Sequence, residues 1–100
     1  MISLDTLKKI ISPIADELGL NRVIVFGSYA RGEQGNSSDL DLIIDSGGRL
    51  KGKHLFGAIY KIDKAIPLKT DIFELSEVNN PSQTYTAIMT EGVTIYEYKG

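Results

Sequence analysis

Asp39 and Asp41 stand two apart in the run DLDLIID, and Asp71 falls in the later run LKTDIFEL. Both runs read as strands. Side chains on a strand alternate faces, so Asp39 and Asp41 share one face while Leu40 and Leu42 turn to the other. Two carboxylates held this close resist joint ionisation, and a divalent cation removes the conflict. Hard oxygen donors of this kind suit Mg²⁺, which takes one or two protein carboxylates together with substrate phosphates. If the strand carrying Asp71 pairs beside DLDLII, all three carboxylates converge on one face. Three carboxylates can hold two metal ions about 3.5–4 Å apart, the arrangement that clamps attacking and leaving oxygens in phosphoryl-type displacement.

Gly27-Ser28 closes an earlier apolar run, RVIVF. Glycine lets a backbone approach a phosphate closely, and backbone N–H groups with a serine hydroxyl can cradle it. A short helix beginning at Tyr29-Ala30-Arg31 would turn its N-terminus toward the same anion. Arg31 is a candidate triphosphate contact, because a guanidinium matches phosphate geometry. Ser28 as a plain helix cap, and Arg31 paired with Glu33 or a carboxylate at the core edge, are the competing structural readings.

The elements that must position these groups follow from the hydrophobic pattern. Leu4, Leu7, Ile11, Ile14 and Leu18 make the stripe of an amphipathic helix, with Ser3 as its cap and Gly19 as its end. Pro13 inside the stripe predicts a kink, or a restart capped by Ser12. Arg22 to Phe26 is a buried strand. DLDLIID is a second, closed by a turn at Ser46 to Gly48. Leu55, Ile59, Ile62 and Ile66 mark a second amphipathic helix, stopped by Pro67. Leu68 to Leu75 is a third strand, Ser82 to Thr90 a further helix after the Asn79-Asn80-Pro81 breaker, and Val93 to Tyr98 an alternating final strand. The order α-β-loop-β-α-β-α-β predicts an α/β or α+β sandwich, with helices packed on a small mixed sheet.

One domain, residues 1–100, accounts for a chain of 100 residues with 42% hydrophobic and 24% charged residues. A net charge of −2 argues against general nucleic-acid binding, which needs a basic face. The absence of cysteine excludes disulfides, thiolate metal sites and cysteine nucleophiles. Asp5, Lys8 and Lys9 interrupt the N-terminal apolar pattern, which therefore reads as neither signal peptide nor membrane span, and a cytoplasmic location is expected.

The stretch GSYARGEQGNSSDLDL resembles the signature of the DNA polymerase β-like nucleotidyltransferases, in particular their minimal nucleotidyltransferase branch. That signature is Gly-Ser, ten residues, then Asp-x-Asp. Gly27-Ser28, Tyr29 to Ser38 and Asp39-Leu40-Asp41 fit it without a gap. The resemblance implies the polymerase β-like fold, with Gly27 and Ser28 holding the triphosphate and Asp39 and Asp41 the metal ions. Asp71 would share one metal and activate the acceptor hydroxyl. It further implies transfer of a nucleoside monophosphate, AMP from ATP, with Mg²⁺ as cofactor. Short members of this branch resemble antitoxins that place AMP on a tyrosine of a helical HEPN-type ribonuclease toxin. The alternatives are an antitoxin that works by binding alone, and transfer to a small molecule such as an aminoglycoside.

Arg49 and His54 happen to match an Arg-x₄-His spacing of the HEPN partners. Here the stretch follows a Ser-Gly-Gly turn among strands, so the match is read as chance and His54 as an exposed residue near Lys51 and Lys53. Tyr60, Tyr85, Tyr96 and Tyr98 are read as core or interface residues. Tyr29 either packs near the nucleotide or serves the structure. Open sheet edges, with Ile88 and Met89, could support a homodimer or partner interface.

Overall fold

The computed structural model describes residues 2–32, 40–77 and 90–99. Helix α1 spans Leu4–Leu18, and its ends carry the expected chemistry. The Ser3 hydroxyl accepts from the Thr6 N–H at 3.1 Å, a cap that contributes about 1 kcal/mol. Gly19, at φ 69°, closes the helix in the left-handed conformation, its N–H reaching Ala15 and Asp16 carbonyls. Leu7, Ile11 and Ala15 form the buried stripe. The restart at Pro13 does not occur: the helix runs through it. The Ser12 hydroxyl donates to the Lys8 carbonyl at 2.6 Å instead of capping a new helix.

Strand β1 is Arg22–Phe26, followed by the one-turn helix α2, Ser28–Arg31. Strand β2 is Leu40–Asp45, helix α3 Gly52–Ala65, strand β3 Thr70–Glu74 and strand β4 Val93–Glu97. Among the described residues the strands form one sheet in the order β3-β2-β1-β4. β1 runs antiparallel to β2 and β4, whereas β2 and β3 are parallel, joined by the α3 crossover, so the sheet is mixed. The third strand is shorter than LKTDIFEL suggested. Leu68 and Lys69 precede it, and Leu75 enters a 3₁₀ turn over Leu75–Glu77. The helix expected over residues 82–89 lies outside the described residues.

α1 and α3 pack on one face of the sheet. The core there gathers Leu7, Ile11, Val23, Val25, Leu40, Leu42, Ile44, Leu55, Ile62 and Ile95. Ile24 and Ile43 are buried on the other face, with Phe26 and Leu75 against them. The central strands β1 and β2 are therefore covered on both sides, which explains their unbroken apolar runs. Tyr29, 3% exposed, belongs to the core and ties α2 to it. Tyr60 and Tyr98 stand mostly exposed, so of the core and interface readings the core one does not hold for them. Burial there would cost a phenol its solvent contacts, and Lys64 sits over the Tyr60 ring at 5.4 Å. Tyr96 is half-buried and donates its hydroxyl to Asp16 at 3.2 Å. Tyr85, Ile88 and Met89 lie outside the described residues.

Candidate active site

In the parallel ladder between β2 and β3, Asp41 is the register partner of Asp71. Partners in a parallel pair present their side chains on the same face. Leu40, Leu42 and Ile44 are buried in the helix-side core, so Asp41 and Asp71 take the opposite face. Burial of those leucines against α1 and α3 thus fixes the direction of the Asp41 carboxylate. The ladder reaches one step beyond the strands, where the Leu40 N–H donates to the Lys69 carbonyl at 3.0 Å. Asp41 is half-buried and Asp71 exposed.

Across the antiparallel ladder Asp41 stands opposite Phe26, the last residue of β1. The chain turns there through Gly27, whose φ of 75° suits glycine. A Cβ on Gly27 would meet the Asp41 carboxylate, so this turn and this carboxylate occupy adjoining space. Ser28 and Arg31 open and close α2, directly after the turn. Asp39 lies outside the described residues. Three stretches far apart in sequence, ending at Gly27, Asp41 and Asp71, are thereby brought to one end of the sheet.

The donor set fits a divalent cation. Two carboxylates, aligned on one face beside a backbone turn that has no Cβ to obstruct them, are hard oxygen donors for Mg²⁺. Among the described residues no third ligand-type side chain joins them.

Sequence reasoning missed a second polar cluster, at the other end of β3. Glu74 is 2% exposed and Ser46 fully buried. The Glu74 carboxylate accepts from the Ser46 N–H at 3.2 Å, the Ser46 hydroxyl at 2.5 Å and the Ser76 N–H at 3.1 Å. The available signal was the strand period itself, which puts Glu74 on the same face as Ile72, where a charge is seldom buried unpaired. His54 is exposed near the start of α3. Arg49 reaches instead to the Ser46 and Gly19 carbonyls, holding the β2–α3 connection against the end of α1.

Residues 8–99 match the family Polymerase beta, Nucleotidyltransferase. The chain belongs to this family. A relative from Methanocaldococcus jannaschii, named as a candidate protein adenylyltransferase, is 28% identical over 81 residues, covering 78% of this chain and 84% of its own. Two solved structures share the fold. One, a toxin–antitoxin with AMP-PNP, has a TM-score of 0.75 at 19% identity, over 92% of this chain and 74% of its own. The other, a tri-AMPylated Shewanella oneidensis HEPN toxin in complex with an MNT antitoxin, has a TM-score of 0.70 at 15% identity, over 96% and 74%. The polymerase β-type fold expected from GSYARGEQGNSSDLDL is thus the one adopted, and the chain is a nucleotidyltransferase by family. No helix among the described residues is long and apolar enough to cross a membrane.

Proposed function

We propose that this nucleotidyltransferase transfers AMP from ATP to a hydroxyl of a partner protein, a HEPN-type ribonuclease toxin, and so acts in the cytoplasm as its antitoxin. The observation that carries the chemistry is the in-register alignment of Asp41 with Asp71 beside the Gly27 turn. The choice of acceptor is supported by the name of the archaeal relative and by the toxin in the Shewanella structure. The choice of ATP is supported by the AMP-PNP in the other.

Asp39, Asp41 and Asp71 would hold Mg²⁺, two ions in the full site. A divalent ion held by these carboxylates would supply charge neutralisation for the phosphates and favour loss of the acceptor hydroxyl's proton. The backbone at Gly27 and Ser28 accommodates the triphosphate, with Arg31 pairing to its oxygens. Asp71, exposed and on the outer strand, accepts the hydroxyl proton. The acceptor oxygen forms its bond to the α-phosphorus as the bond to pyrophosphate breaks. Alignment of these groups before the reaction supplies most of the rate.

The test is incubation of the purified protein with Mg²⁺ in host lysate containing α-labelled or γ-labelled ATP. A protein band labelled only by the α-phosphate, lost in Asp41→Asn, is the expected result. A γ-labelled band would make the protein a kinase and refute the proposal. No band under either label would favour neutralisation by binding alone, or a small-molecule acceptor such as an aminoglycoside.

A further inference from the structure

β3 is an edge strand of five residues, paired within the described residues only to β2. Its buried face, with Ile72 packed against the core, selects which side of the strand faces the helices but not between registers two residues apart. A slip of one residue would turn Asp71 to the helix side and present Ile72 to the open face. A slip of two would keep the face but move the carboxylate about 6.6 Å along the sheet. Asp71 therefore meets Asp41 only in one register.

Both ends of β3 are tied by side chains. At its start the Thr70 hydroxyl donates to the Asp63 carboxylate, near the end of α3, at 2.5 Å. At its end the Glu74 carboxylate is held by the Ser46 N–H and hydroxyl. Ser46 is itself fixed: its hydroxyl accepts from the Leu50 N–H at 3.2 Å, and its carbonyl from the Arg49 side chain at 2.9 Å. Thr70 and Glu74 are an even number of residues apart, so both ties lie on the helix side, opposite Asp41 and Asp71. Asp63 also stands in the last turn of its helix, where a negative charge opposes the helix dipole. Helix stability alone would not favour a carboxylate there. Any slip would take the buried Glu74 carboxylate away from both Ser46 donors and leave it only the local Ser76 N–H, a loss that burial penalises.

We infer that Asp63–Thr70 and Ser46–Glu74 form a register lock, and that these four are positioning residues holding Asp71 opposite Asp41 for metal binding. The inference rests on the proposed metal site. Its test uses Mn²⁺ as the probe, with the full chain, and reads free Mn²⁺ by electron paramagnetic resonance. Wild type should bind. Thr70→Val and Glu74→Gln, measured well below their melting temperatures, should bind about tenfold more weakly, as expected when the support of a metal ligand is lost. Thr70→Ser, which restores the hydroxyl, should return the affinity to that of wild type. A purely structural role would lower the melting temperature and leave the affinity of the folded protein unchanged. Wild-type affinity in folded Thr70→Val would overturn the lock, and this half-buried position serves even if Glu74→Gln fails to fold. Wild type that binds no Mn²⁺ would instead refute the metal site beneath it.

Discussion

A Cβ on Gly27 would fall inside the contact distance of Oδ2 of Asp41. No real pair of such atoms approaches so closely, so any larger residue at position 27 must displace that carboxylate or the turn. A carboxylate end swings more easily than a backbone moves. The glycine therefore guards the direction of Asp41 more than the stability of the fold.

Gly27→Ala should accordingly separate activity from folding. The positive φ and the displaced side chain should cost about 1–2 kcal/mol in urea unfolding. Transfer of α-label should fall by about 100-fold, the scale on which misplaced catalytic groups act. A variant that unfolds at much lower urea while keeping its specific activity would contradict this division.

Asp71→Asn tests the charge of the site. Like charges directly opposite on neighbouring strands are destabilising. In EDTA the variant should thus melt slightly above wild type. Added Mg²⁺ should raise the wild-type melting temperature, as any ligand selective for the native state does, and should raise that of Asp71→Asn less, because only Asp39 and Asp41 remain as ligands. Equal Mg²⁺ shifts in both proteins would place the cation elsewhere.

Leu42→Ala removes the fully buried residue behind Asp41 and should cost about 2–5 kcal/mol by leaving a cavity in the helix-side core. For a domain of this size that is a large part of the total. Equilibrium denaturation checks it, and a loss below about 1 kcal/mol would mean that the site collapses around the smaller side chain.

Tyr96 gives the fold a pH dependence in the alkaline range. Desolvation, then the negative charge of Asp16 and the hydrogen bond to it, push the phenol above its usual range. The native state thus favours the protonated form. Its contribution is fully present below about pH 10 and is lost as the pH rises through the native-state value. The stability difference between wild type and Tyr96→Phe, followed by thermal melting, should shrink with rising alkalinity. A difference constant across that range would rule the contribution out.

What the sequence made legible was the local part of the design. Ser3, the apolar stripe and Gly19 bound α1 through short-range hydrogen bonds, and the run before Gly27 ends its strand where the turn begins. The meeting of Asp41 with Asp71 depended on which strands pair. Thirty residues and a helix separate the two, so spacing could state the condition but only the parallel ladder fulfils it. Glu74 and Ser46 carry no signal singly, one being a strand glutamate and the other a turn serine. Their burial exists only when both ends of a crossover come together. The restart expected at Pro13 does not occur, for the converse reason. Packing of Leu7, Ile11 and Ala15 on the sheet outweighs one missing backbone hydrogen bond.

The outermost place of β3 bears on which molecules can be modified. Among the described residues, Asp71 stands exposed on the outermost strand of the sheet. A reacting group can come to it sideways, still attached to a body far larger than the enzyme. If the proposed transfer takes place there, selectivity would be a matter of docking beside that strand more than of fitting a narrow channel.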